Sequence, residues 1–154
     1  MPRAFIGVGS NIDPENNIMQ AVGMLAAKTC VTAISTFYLN PAEERPDQPD
    51  FINGVVEIVT DLPPDELKQS LLWIEEQLGR SRTADKYASR TIDLDILVYD
   101  DQIINPASHS EIRAFEAIPL RELAPELVIP HFTECNMQPL MEYTRLLRAD
   151  LAQS

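Results

Sequence analysis

Basic residues are scarce: 12 lysines and arginines stand against 24 acids in 154 residues, a formal net charge of −12. Nucleic acids and anionic membranes are held by summed positive potential, so neither is expected as a partner. Long apolar runs are also missing. None approaches the roughly 20 residues that cross a bilayer, and the N-terminus lacks the basic-then-apolar pattern of a signal peptide, so a cytoplasmic protein is expected. Only two cysteines occur, Cys30 and Cys135, far apart and without metal-ligand spacing, and two buried reduced thiols are the expectation. Neither an internal repeat nor a low-complexity tract is found. What is present is 45% apolar content, enough for one compact domain over residues 1–154, expected as a monomer.

Periodicity supplies the elements. Ala4 to Val8 is a short apolar run ending in Gly9-Ser10-Asn11, read as a strand and a tight turn. Asp13-Pro14-Glu15 offers an N-cap, a proline at the first helical position and an early acid, opening a helix with Ile18, Val22 and Leu25 on one face. Val31 to Tyr38 reads as one strand, Leu39 to Asp50 as a proline- and acid-rich surface loop, and Phe51 to Thr60 as the next strand. Pro63-Pro64-Asp65 starts a helix carrying Leu67, Leu71, Ile74 and Leu78, stopped by Gly79. Ile92 to Tyr99 is a further strand, turning at Asp100-Asp101 into a short one near Ile103. This order predicts an α+β fold of the ferredoxin-like βαββαβ kind, an antiparallel sheet with helices on one face. Short helical pieces near Leu120 to Leu123 and Pro139 to Leu151 are expected around it, the last as a docking helix.

One stretch defies the overall charge. Arg80, Arg82, Lys86 and Arg90 put a third of all basic residues into eleven positions, with Asp85 the only acid among them. The basic run leads directly into Ile92-Asp93-Leu94-Asp95-Ile96, where alternation sends the apolar side chains to the core and both aspartates to the other face. Their Cα atoms should lie roughly 6.5–7 Å apart. Aspartate is disfavoured in strands and like charges on one face repel, so the pair needs a reason. Hard oxygens at this spacing can bridge magnesium and a triphosphate, and arginines bind phosphate through paired hydrogen bonds. Ion pairing among these residues is the plainer alternative.

The segment Glu75, Gly79-Arg80, Arg82 and Arg90-Thr91-Ile92-Asp93-Leu94-Asp95-Ile96 resembles the 6-hydroxymethyl-7,8-dihydropterin pyrophosphokinases of folate biosynthesis. Gly9-Ser10-Asn11, Asp47 through Asn53, Arg113, Phe115, Pro119-Leu120 and Ala124-Pro125-Glu126 extend the resemblance in order over most of the chain. The resemblance implies a ferredoxin-like fold and ATP- and magnesium-dependent transfer of diphosphate to a pterin alcohol. It implies two magnesium ions held by Asp93 and Asp95, and phosphates bound and activated by Arg82 and Arg90. Arg80 and Tyr87 would belong to a loop closing over ATP, with Glu75, Ile96, His109 and Arg113 as further nucleotide contacts. The pterin would lie between Phe51 and Phe115, its edge read by Asn53, with Pro41 and Glu43 nearby.

Where the family tends to show threonine, prolines and glycine, this chain has Asn40-Pro41-Ala42-Glu43-Glu44-Arg45. Two acids there leave open a changed acceptor alcohol. A pterin- or nucleotide-binding homologue with weak catalysis is the other alternative. Gly7 and Gly9 do not make a dinucleotide fingerprint, because Ile12 stands at the third glycine position.

Overall fold

The computed structural model describes residues 1–41, 48–79, 91–104, 113–127 and 136–153. At its centre is β1 (Arg3–Ser10), buried at every residue after Arg3. A strand covered on both faces needs apolar or small residues on both. Ala4, Ile6 and Val8 face one side, while Phe5 and, by alternation, Gly7 and Gly9 face the other. Gly9 and Ser10 thus belong to the strand, not to the turn expected there.

Pro14 opens α1 (Pro14–Lys28), which buries Ile18, Ala21, Val22 and Leu25. Asp13 is not the side-chain cap expected: it takes φ 39° and makes no capping bond. Asn17 ties this end instead, donating from Nδ2 to the Ile12 carbonyl at 2.6 Å. The single strand expected over 31–38 is two, β2 (Cys30–Ile34) and β3 (Tyr38–Asn40), both antiparallel to β4 (Phe51–Val59).

The break has a physical cause at Thr36-Phe37. The buried Phe37 ring lies on Gly54, where a Cβ would come within 2.4 Å of it. Next to it, the Thr36 N–H donates to the Glu122 carboxylate at 3.1 Å and the Phe37 N–H to Thr144 Oγ1 at 2.9 Å. Side chains replace the strand ladder here, satisfying donors that burial would otherwise penalise. Leu39 and Asn40, expected in the loop, lie in β3. Cys30, expected buried, is exposed at the start of β2, and Cys135 lies outside the described residues.

Helix α2 (Pro64–Gln77) is followed by Gly79 at φ 83°, the left-handed stop that glycine takes without strain. Beyond it come β5 (Asp93–Tyr99) and β6 (Gln102–Ile103), joined through Asp100 and Asp101 at φ 51° and 64°. Positive φ at both loop residues suits the twist of a two-residue hairpin. Between Phe5 and Ile6 the register of β5 on β1 shifts by one residue, leaving Leu97 as a bulge. Leu97 and Val98 consequently both pack on the Phe5 side.

Among the described residues, α3 (Ala114–Leu123), β7 (Gln138–Pro139) and α4 (Met141–Ala152) complete a seven-stranded antiparallel sheet with four helices. The order is β6-β5-β1-β4-β3-β7, with β2 also on β4. Since β1 and β2 are both antiparallel to β4, they run parallel with β4 between them, and α1 is their crossover. By the same reasoning α2 crosses from β4 to β5 around β1. Helices α1, α2 and α4 share one core with Ile6, Val56 and Leu94. Helix α3 covers the opposite face, packing Ala117 and Leu120 against Phe5, Val55 and Leu97. Docking of α4 is specific: Tyr143 donates to the Glu15 carbonyl at 2.7 Å and Arg148 to the Ile34 carbonyl at 2.7 Å. No described helix is long and apolar enough to cross a membrane.

Candidate active site

On the face covered by α3, two positions of β1, Gly7 and Gly9, carry no side chain. Gly7 lies opposite Asp95 on β5 and Val55 on β4, and Gly9 lies opposite Asp93 and Asn53. Both aspartates therefore flank a glycine floor, each half-buried, while Leu94 between them is buried in the other core. A Cβ on Gly9 would fall 2.2 Å from Asn53 Oδ1, so the Asn53 amide occupies the space the glycine leaves. At Gly7 the atoms nearest a Cβ would be those of the Leu97 side chain, from 3.3 Å.

The strand carrying the aspartates is fixed at two points. Ser10, fully buried, donates from Oγ to the Thr91 carbonyl at 2.5 Å just before β5. Glu75 on α2, 3% exposed, accepts the Leu94 N–H on Oε2 at 2.8 Å. Among the described residues, short β6 pairs with Val98 and Tyr99 alone, and the Glu75 carboxylate serves the edge of β5 nearer the aspartates. This places Glu75 behind the aspartates, as their backbone support. Ile96 points to the helical side and packs against the core there.

Across the floor, Asn53 donates from Nδ2 to Asn40 Oδ1 at 2.7 Å, and Asn40 donates from Nδ2 to the Pro41 carbonyl at 3.3 Å. Asn11 reaches the chain returning to β4, donating to Gln48 Oε1 and the Pro49 carbonyl at 3.3 Å each. Phe51 stands two residues before Asn53 on the same face, half-buried.

Over this floor lies the start of α3. Arg113 precedes it with its guanidinium carbon 6.0 Å from the centroid of the Phe115 ring, and both are half-buried. The Arg113 N–H points to Glu116 Oε1 at 3.4 Å. Glu116 is buried, and that burial, followed by the charges of Asp95 and Asp93, pushes its carboxyl up to about 7. A third carboxyl group thus shares the field of the two aspartates.

The structure brings Asp93, Asp95, Asn53, Phe51, Arg113 and Phe115 to one face of the sheet and puts Glu75 and Ile96 behind it, with Pro41 exposed just beyond β3. Glu43, Arg80, Arg82, Tyr87, Arg90 and His109 lie outside the described residues. Sequence reading missed Glu116 and Asn40. The signal for Glu116 was an acid enclosed by apolar residues in Ala114-Phe115-Glu116-Ala117-Ile118; Asn40 was lost to an overlong loop.

Paired carboxylates facing a buried amide across a glycine floor form a candidate small-molecule site, set on the antiparallel sheet of an α+β protein. The particular relationship follows from comparison: the model of the 7,8-dihydro-6-hydroxymethylpterin-pyrophosphokinase (HPPK) family matches residues 5–125, and the chain belongs to that family. A protein of Pseudomonas aeruginosa named 2-amino-4-hydroxy-6-hydroxymethyldihydropteridine pyrophosphokinase is 35% identical over 137 residues, 83% of this chain and 84% of its own. Proteins of the same name from Synechocystis sp. and Haemophilus influenzae are 39% and 36% identical, covering 82% and 85% of this chain and 69% and 87% of theirs.

Proposed function

We propose that the chain transfers diphosphate from ATP to 6-hydroxymethyl-7,8-dihydropterin, giving AMP and the pterin diphosphate in folate biosynthesis. The observation that carries the reading is the glycine floor, with Asp93 and Asp95 on one side and Asn53 on the other, in a chain of this family. The strand order β5-β1-β4-β2, with α1 and α2 as crossovers, supports a ferredoxin-like βαββαβ core.

The donors suit magnesium. Asp93 and Asp95 offer hard carboxylate oxygens on one face, and among the described residues no third His, Cys, Asp or Glu completes a protein cage. Magnesium commonly takes one or two carboxylates and fills its other places with water and phosphate oxygens. In this reading Asp93 and Asp95 hold two such ions, which would offset phosphate charge and acidify the acceptor alcohol. Arg82, Arg90 and Arg113 bind the phosphates, with Arg80, Tyr87 and His109 completing the nucleotide side. Glu75 acts through the backbone of β5, and Ile96 flanks the adenine through its main chain. Phe51 and Phe115 stack on the pterin, Asn53 reads its edge, and Pro41 and Glu43 border that pocket. The hydroxymethyl oxygen bonds to the β-phosphorus, the bond from that phosphorus to the α,β-bridging oxygen breaks, AMP departs, and the hydroxyl proton passes to water.

Incubation with ATP, magnesium and the pterin alcohol should yield AMP. Formation of ADP would overturn diphosphate transfer. Asp95→Ala should abolish turnover at ordinary magnesium, and full activity in that variant would refute the metal role.

A further inference from the structure

The Asn53 side chain has nearly the same shape after a half-turn about its last torsion, yet the two orientations present opposite chemistry to a ligand. One places a carbonyl acceptor over Gly9, the other an amide donor. Shape does not choose between them, because a Gly9 side chain is absent and the amide occupies its space in either orientation. The choice falls to the partner on β3.

That partner is Asn40, 3% exposed, and its own orientation is fixed in turn. Asn40 lies diagonally across the β3–β4 ladder from Asn53, since Asn40 pairs with Phe51 and Tyr38 with Asn53. Its Nδ2 donates to the Pro41 carbonyl at 3.3 Å, which can only accept. Its Oδ1 therefore faces Asn53, accepts from Nδ2 at 2.7 Å, and turns Asn53 Oδ1 toward the glycine floor. Polarity is relayed from a backbone carbonyl through two amides, and each amide is buried enough that a mismatched orientation would leave a polar group unpaired.

We propose that Asn40 is a positioning residue that sets the donor–acceptor polarity of Asn53, so that the site selects a heterocycle whose edge presents an N–H donor to the Asn53 carbonyl. The inference rests on the pterin reading above and adds a determinant of acceptor specificity to it.

Asn40→Leu removes the acceptor and frees the Asn53 amide to turn. Asn40→Asp keeps an acceptor at the same place. The Leu variant should raise KM for the pterin alcohol by about tenfold or more, the scale of one mispaired buried hydrogen bond, with kcat and KM for ATP little changed. The Asp variant keeps the acceptor toward Asn53 but sets a second oxygen against the Pro41 carbonyl, and should raise pterin KM less than the Leu variant. In NMR spectra the Asn53 side-chain amide should show one hydrogen-bonded proton in the parent and in Asn40→Asp, and lose it in Asn40→Leu. Unchanged pterin KM in Asn40→Leu, or equal damage to both substrates in both variants, would overturn the assignment. If the parent forms no AMP from this acceptor, the activity reading fails by itself. The Asn53 amide signature still decides the role of Asn40, and its persistence in Asn40→Leu would overturn that role.

Discussion

Replacing Glu116 with glutamine keeps the shape of the side chain and an oxygen able to accept from the Arg113 N–H, but removes an ionisable group from beside Asp95 and Asp93. Burial and those two charges raise the Glu116 carboxyl from 4.5 to about 7. Below pH 4.5 it is protonated in both folded and unfolded chains and costs nothing. As pH rises through the interval to 7, the unfolded chain releases the proton while the folded chain retains it, so stability falls. Above 7 the folded group ionises too, and the full penalty is in place. At about 1.4 kcal/mol per pH unit, the shift corresponds to about 3 kcal/mol. Glu116→Gln should therefore match the parent near pH 4.5 and exceed it by about 3 kcal/mol above pH 7. Urea unfolding at intervals from pH 4.5 to 8, without divalent cations, would show the midpoints separating by about 1–2 M. A difference that stays constant with pH would refute the reasoning, because it would locate the effect in packing or capping.

Gly9→Ala should displace the Asn53 amide, whose Oδ1 lies 2.2 Å from the added Cβ, and lose about 1–3 kcal/mol with weaker pterin binding. Gly7→Ala, whose Cβ would come nearest the Leu97 side chain at 3.3 Å, should be milder; thermal melts and pterin KM compare them, and equal losses would contradict the floor described. Glu75→Leu should leave the Leu94 N–H without its carboxylate acceptor, cost about 1–3 kcal/mol, and raise the magnesium needed for activity, whereas Glu75→Gln keeps an acceptor and should suffer less. A magnesium titration showing no change in Glu75→Leu would remove its role in supporting the aspartates.

Features set by neighbours along the chain were legible in the sequence. Alternation from Ile92 to Ile96 placed the aspartates on one face and the apolar residues on the other, as found, because strand geometry alone determines it. Features set by distant partners were not. Nothing near Thr36 and Phe37 announces a break in the strand, since Gly54, Glu122 and Thr144 cause it. Glu116 stands among apolar neighbours in the sequence, but its place beside Asp95 and Asp93 appears only when α3 is laid over β5. Asn40 gains meaning only when β3 pairs with β4. The roles of Gly7 and Gly9 likewise appear only once their cross-strand neighbours are known.

The extra residue in β5 has a consequence for how this site tolerates change. Leu97 divides one strand into two lengths whose alignments with β1 are set separately: Asp93 to Ile96 by the glycine side, Val98 and Tyr99 by the Ala4-Phe5 end and the hairpin to β6. A residue gained or lost at the hairpin can then be taken up as slack at Leu97, where the ladder is already out of step. The aspartates keep their places opposite Gly7 and Gly9, insulated from drift in the far end of their own strand.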